Sequence, residues 1–343
     1  MKHLTLLART IDAHTAGEPF RIVVEGGPAL RGNTILEKRR DAQQNHDNLR
    51  RRLMFEPRGH ADMYGCFLTE AVTADGHIGV LFTHNEGYST MCGHGIIALT
   101  KIGIESELFG YDKLETGRCE VRIDSPAGRI TAWADRDAEG RFGDVSFRNV
   151  PSFVLSSRAT VEVAGLGQVT GDLAYGGAFY FYVDATSLGM TLDAQHAREL
   201  IDVGMRIKRA VMQQLPIEHP TGDADLNFLY GVIFVDTATD YGTEVHSRNV
   251  CIFADGEVDR SPTGTGVSGR IAIHHARGEV ALGQALTIQS LLGTFFRVEA
   301  CELVTIGGVS GVTPLVTGRA HRTGEHRFEL EQGDPLEAGF FIR

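Results

Sequence analysis

Cys92 stands in the segment Thr90-Met91-Cys92-Gly93-His94-Gly95, and the apolar run Ile96-Ile97-Ala98-Leu99 follows at once. A cysteine ahead of two alternating glycines, with a helical run behind it, puts the thiol at or near a helix N-terminus. Unpaired backbone N–H groups and the positive end of the helix dipole favour negative charge there. The expected result is a lowered thiol pKa, which makes Cys92 a usable base or nucleophile. The N–H groups of Gly93 and His94 are placed to hold an anion such as a carboxylate.

The segment has an echo. Ser261-Pro262-Thr263-Gly264-Thr265-Gly266 repeats the glycine spacing and runs into Val267 to His275. Ten residues before each pivot lies a phenylalanine, Phe82 and Phe253, in a β-like run. The pivot is Cys92 in one copy and Thr263 in the other. Two helix starts built alike suggest two halves facing one ligand, with a thiol in only one of them.

Other chemistries fit less well. The sequence has no H-E-x-x-H and no Cys/His spacing suited to zinc, so no metal is expected. The G-x-G pairs lack both the Rossmann fingerprint and a P-loop lysine, which argues against a nucleotide. A Cys–His hydrolytic dyad is disfavoured because His94 lies two residues from Cys92, where side chains at a helix start diverge. His274-His275, within the second helical run, reads as surface or packing rather than as ligand.

These motifs need elements to carry them. The order strand, helix, strand, strand, motif, helix occurs twice along 343 residues, which suggests two divergent halves. The opening reads as a strand through Leu4 to Leu7, a polar loop Asp12 to Pro19, and a strand Arg21 to Val24. Glu37 to Met54 reads as one exposed helix and Cys66 to Val72 as a strand. Leu192 to Leu215, with Leu200, Ile207 and Val211 on a helical repeat, is the longest helix candidate. Without a linker rich in Pro, Ser or Gly, the halves are expected to be 1–155, joined by a returning segment at about 328–343, and 156–327.

Composition narrows the partners. A hydrophobic content of 42% and a formal net charge of −11 describe a globular chain without affinity for nucleic acid or anionic membrane. Five cysteines without a C-x-x-C pair suggest free thiols and a reducing, cytoplasmic setting. No apolar run reaches the ~20 residues that span a bilayer, and the Leu4 to Ala8 patch does not resemble a signal peptide.

The chain resembles the proline racemase family, which includes hydroxyproline 2-epimerases and trans-3-hydroxy-L-proline dehydratases. The resemblance rests on Asp12 to Pro19, Glu56 to Gly65, His84 to Gly95, Tyr175 to Asp184 and Asp259 to Gly266, and extends over essentially the whole chain. It implies a cofactor-independent enzyme acting at the α-carbon of a proline-like substrate. It also implies a diaminopimelate epimerase-like α/β fold, with two pseudo-symmetric domains, each a sheet wrapped about a central helix, and the active site between them. By similarity Cys92 abstracts the proton, Gly93, His94 and Asp259 bind substrate, and Gly264 and Thr265 complete a carboxylate cradle. A homodimer is compatible with this reading.

Thr263 departs from the two-thiol pattern of the racemases and epimerases. A threonine hydroxyl titrates far above the working range and cannot exchange a proton with a carbanion as a thiol does. The Cys/Thr pair is the pattern of the dehydratase branch. The alternatives are a hydroxyproline epimerase working with one thiol and an amino-acid-binding protein that has lost catalysis.

Overall fold

The computed structural model of the protein describes residues 4–109, 117–237 and 245–342. The chain forms two compact units, Met1–Val145 with Arg319–Arg343, and Ser146–Gly318. The outermost residues of the expected limits, 1–3 and 343, lie outside the described residues. The first division falls inside the strand Phe142–Arg148, and the second between the strands Val309–Gly318 and Ala320–Glu331. The sequence reading set these limits some ten residues later. A chain that changes unit within a strand leaves no compositional mark.

The first unit is built on one long ladder. Leu4–Thr15 pairs antiparallel with both Glu18–Glu25 and Ala320–Glu331. Glu18–Glu25 runs parallel to Tyr64–Thr69, which is antiparallel to Ile78–His84. Ile78–His84 runs parallel to Gly117–Ser125, and that strand is antiparallel to Gly128–Arg136. The two parallel steps need crossovers. The first contains helices α1 (Ile35–Asn45) and α2 (Asp47–Met54), and the second contains α3 (Gly93–Glu105).

The second unit repeats this grammar. Gly167–Tyr175 is antiparallel to Phe179–Asp184, which runs parallel to Leu229–Asp236 across helix α4 (Ala197–Gln214). Leu229–Asp236 is antiparallel to Ser247–Phe253, which runs parallel to Ala285–Gln289 across helix α5 (Gly264–Ala276). Val309–Gly318 then pairs with Ser152–Val163, and Ser152–Val163 with Gly167–Tyr175, so this ladder closes on itself. Phe82 and Phe253 both fall in the strand before their motif, and each pairs with a two-residue strand, Tyr88–Ser89 or Glu257–Val258.

The central helices follow from composition. In α3, 11 of 13 residues are buried, and in α5, 10 of 13. A helix whose surface is mostly apolar or small must be enclosed, and strands pack around both: Leu4–Thr15, Glu18–Glu25, Gly128–Arg136 and Ala320–Glu331 on α3, and Ser152–Val163, Gly167–Tyr175, Phe295–Ile306 and Val309–Gly318 on α5. Helix α4 is amphipathic, burying Leu200, Val203, Ile207 and Val211 against the strands Leu229–Asp236 and Ser152–Val163.

Local departures have simple causes. The polar loop expected at Asp12 to Pro19 is a two-residue hairpin turn. Ala16 and Gly17 take φ of 54° and 98°, and the strands run on to Thr15 and from Glu18. Asp12 is drawn into the ladder because Arg21 binds it bidentately at 2.8–3.1 Å, while Arg21 also donates to the Leu53 and Arg58 carbonyls. The single helix expected over Glu37 to Met54 is two, broken at His46 where φ is −131°. The strand expected at Cys66 to Val72 is Tyr64–Thr69, and Val72 instead donates its N–H to Asp124. Among the described residues no helix is long and apolar enough to cross a membrane.

Candidate active site

Cys92 is the N-cap of α3, with φ −144° and ψ 104°, and its Sγ accepts the Gly95 N–H at 3.2 Å. The strand Ile78–His84 and the short strand Tyr88–Ser89 deliver the chain to this point. Gly95 makes the bond possible. A Cβ there would lie 2.8 Å from the Cys92 sulfur and 2.5 Å from the Phe20 ring. The second glycine of the motif is thus the seat of the sulfur. The N–H aimed at Sγ and the helix start behind it favour the thiolate. Burial alone has the opposite effect, as at Cys66, whose thiol is pushed well up.

His94 is packed rather than poised as a base. Its imidazole meets Tyr64 edge-on at 4.8 Å and Phe20 at 5.7 Å. The Cys92 sulfur lies 3.4 Å from Nδ1 and 3.5 Å from Nε2. A sulfur equidistant from both nitrogens lies on the in-plane axis of neither, so the pair is not a proton-transfer dyad. Burial lowers the imidazole to about 3, with a hydrogen bond to the Pro19 carbonyl pulling the other way. His94 is therefore neutral at physiological pH. Its backbone is pinned by Thr15, whose hydroxyl donates to the His94 carbonyl at 2.8 Å.

The second helix start differs in its backbone. Thr263 is the N-cap of α5 with φ 67° and ψ 99°, and its side chain makes no capping bond. Positive φ on a β-branched residue is a genuine outlier, of the kind held in place only by surrounding structure. The hold is visible. Thr263 N–H donates to Ser261 Oγ at 3.1 Å, and Ser261 N–H donates to Asp259 Oδ1 at 2.7 Å. Gly266 mirrors Gly95, since a Cβ there would lie 3.0 Å from Thr263 Cβ and 2.5 Å from Ile233.

Asp259 is 5% exposed. Burial raises its carboxyl to about 6, against the Ser261 and Thr263 groups that lower it. Thr265 is held by Tyr180, the two hydroxyls 2.7 Å apart, and Tyr182 donates to the Gly266 carbonyl at 2.7 Å. Within the first unit the structure therefore gathers Cys92, Gly93 and His94 at one helix start. Within the second it gathers Asp259, Thr263, Gly264 and Thr265 at another. Sequence reasoning did not single out Thr15, Phe20 and Tyr64 around His94, or Tyr180 beside Thr265. Thr15, Tyr64 and Tyr180 lay inside the motif segments quoted for the resemblance, which was the available signal. His274 and His275 bond Glu279 and the Val280 carbonyl respectively.

With this geometry in hand, the comparisons are direct. The chain belongs to the proline racemase family, whose model matches residues 10–341. It is 51% identical over 98% of its length to the trans-3-hydroxy-L-proline dehydratase of Colwellia psychrerythraea, covering 93% of that protein. It is 43% identical over 97% of its length to the 3-hydroxyproline 2-epimerase of Burkholderia multivorans, covering 98% of that one. Among solved structures it resembles a hydroxyproline epimerase from Agrobacterium vitis with bound trans-4-hydroxy-L-proline. The TM-score is 0.90 at 29% identity, covering 100% of this chain and 96% of that one. The α/β fold, with a sheet wrapped about a central helix in each unit, is that of this family.

Proposed function

We propose that the chain is a trans-3-hydroxy-L-proline dehydratase, a hydro-lyase working with Cys92 and no cofactor. The observation that carries this reading is the difference between the two helix starts. One presents a sulfur to a backbone N–H, and the other presents a threonine hydroxyl at the same place in the motif. A relative with the dehydratase name at 51% identity supports it.

In trans-3-hydroxy-L-proline the α-hydrogen and the 3-hydroxyl both lie opposite the carboxylate, hence on one ring face. Cys92 thiolate takes the α-proton from that face. The carbanion electrons form the C2–C3 double bond as the C3–O bond breaks. The new Cys92 thiol returns its proton to the departing hydroxyl, so water leaves and the thiolate is regenerated. The cyclic enamine acid then tautomerises to the imine. The opposite face needs no acid, which is why threonine suffices there.

N–H groups of Gly93, His94, Gly264 and Thr265 hold the carboxylate and stabilise enolate-like charge as it builds. Neutral His94 shapes the wall, and the Asp259 carboxylate binds the ring ammonium. We place the enzyme in the cytoplasm and in amino-acid breakdown, on its free thiols and its substrate class.

Incubation with trans-3-hydroxy-L-proline, trans-4-hydroxy-L-proline and L-proline tests the assignment. Loss of water from the first substrate alone is the expected result. Epimerisation of the second would make the chain an epimerase, and binding without turnover would make it a binding protein.

A further inference from the structure

The second unit holds a cavity of about 260 Å³ that the reaction does not use, bordered by Arg158, Asp172, Tyr182, Asp184, Arg270 and Arg277. Among them Arg270, at the middle of α5, is only 3% exposed. The Arg270 guanidinium is held on two sides by neutral acceptors. Nη1 donates to Asn249 Oδ1 at 2.7 Å, and Nε donates to His274 Nε2 at 3.3 Å. His274 can accept there because its Nδ1 lies 2.5 Å from Glu279 Oε2, which places the proton on Nδ1. Burial and the neighbouring Arg270 lower the His274 pKa, which keeps the ring neutral.

Arg270 lines the cavity, forms no salt bridge among the described residues, and donates no hydrogen bond there from Nη2. Burial brings its guanidinium down to about 10, so it stays charged at neutral pH. Glu279 and Asp236 act on it only through space, and a buried cation is costly unless an anion meets it directly. At the rim, exposed Arg158 makes no ion pair or side-chain hydrogen bond among the described residues. The two carboxylates on the wall already have partners. Asp172 accepts from Arg277, Ser157 and the Arg158 N–H, and Asp184 accepts from Thr186. Two arginines without a salt bridge among the described residues therefore line one cavity in a chain of net charge −11.

We propose that this cavity is a second binding site, for a small oxyanion, a carboxylate or phosphate group taken by the open edge of Arg270 and by Arg158. A planar guanidinium with two free donors is matched to such a group. Tyr182 lines the same cavity and donates to the Gly266 carbonyl in the first turn of α5, so an occupant touches the residue that holds the helix start.

The test uses the full chain at constant ionic strength, set with chloride. Thermal midpoint and calorimetric titration are followed against inorganic phosphate and, separately, malonate. Whichever raises the midpoint identifies the group. The variants are Arg158→Glu, an exposed change that spares the core, and Arg270→Lys, which keeps the charge and loses the fork. Each is expected to weaken binding by ~10-fold or more, the worth of one charge-assisted hydrogen bond, with dehydration of the hydroxyproline substrate unchanged in Arg158→Glu. No response to either anion overturns the proposal. So does a response equal in wild type and Arg158→Glu, since the anion then binds elsewhere.

Discussion

The Cys92 sulfur sits 3.2 Å from the Gly95 nitrogen and accepts its N–H, three residues along the same helix start. That bond ties together the two parts of the motif, the thiol and the second glycine. Cys92→Ser is expected to lower kcat by about 10²–10⁴-fold, because a serine hydroxyl does not ionise in the working range. Circular dichroism and the thermal midpoint should stay near wild type. Full turnover in the variant would remove Cys92 from the base role.

Gly95→Ala tests the seat rather than the base. The added methyl meets the Cys92 sulfur at 2.8 Å and the Phe20 ring at 2.5 Å, so the sulfur must turn away. A displacement of that size costs on the order of 100-fold in rate, and overpacking costs about 1–3 kcal/mol of stability. Steady-state kinetics and urea denaturation measure the two effects separately. An active Gly95→Ala enzyme would show that the N–H bond is dispensable.

Asp259 sets a pH limb. Its carboxyl is raised to about 6 by burial, and the carboxylate is the form that binds an ammonium. In the free enzyme, kcat/KM should therefore fall as pH drops through about 6. Asp259→Asn should lose that limb along with affinity for substrate. Stability has the opposite sign. The folded state binds the proton more tightly, so its stability declines as pH rises from 3.8 to about 6, and Asp259→Asn should not show the decline.

Thr263→Cys places a second thiol at the other pivot. A side chain without β-branching suits φ 67° better than threonine, so the thermal midpoint should hold or rise. We expect α-proton exchange or epimerisation of a 4-hydroxyproline, detectable by deuterium uptake from solvent. Wild type, whose single thiol returns a proton only to the face it left, should not epimerise at a comparable rate, and fast racemisation of L-proline by wild type would contradict the role given to Thr263.

Asp12 and Arg21 form a buried pair, with side chains 11% and 6% exposed. Asp12→Ala leaves the guanidinium without its carboxylate and should cost about 3–5 kcal/mol in chemical denaturation. A loss of only a few tenths would mean that the Leu53 and Arg58 carbonyls suffice to hold Arg21.

The sequence by itself determined the two helix starts, because glycine spacing ahead of a mostly apolar helical run marks an enclosed helix. It also determined the doubled order of elements and the single thiol, which are properties of the chain alone. Only the tertiary structure decided which polar residues serve those helix starts. Asp12 and His94 were both legible as polar residues in motifs, yet Asp12 is spent on Arg21, and His94 is neutral because Phe20 and Tyr64 bury it. The positive φ of Thr263 and the open edge of Arg270 were equally out of reach of local pattern. Strain, desolvation and an unfilled hydrogen-bonding edge depend on what distant strands bring alongside, and no spacing along the chain records them.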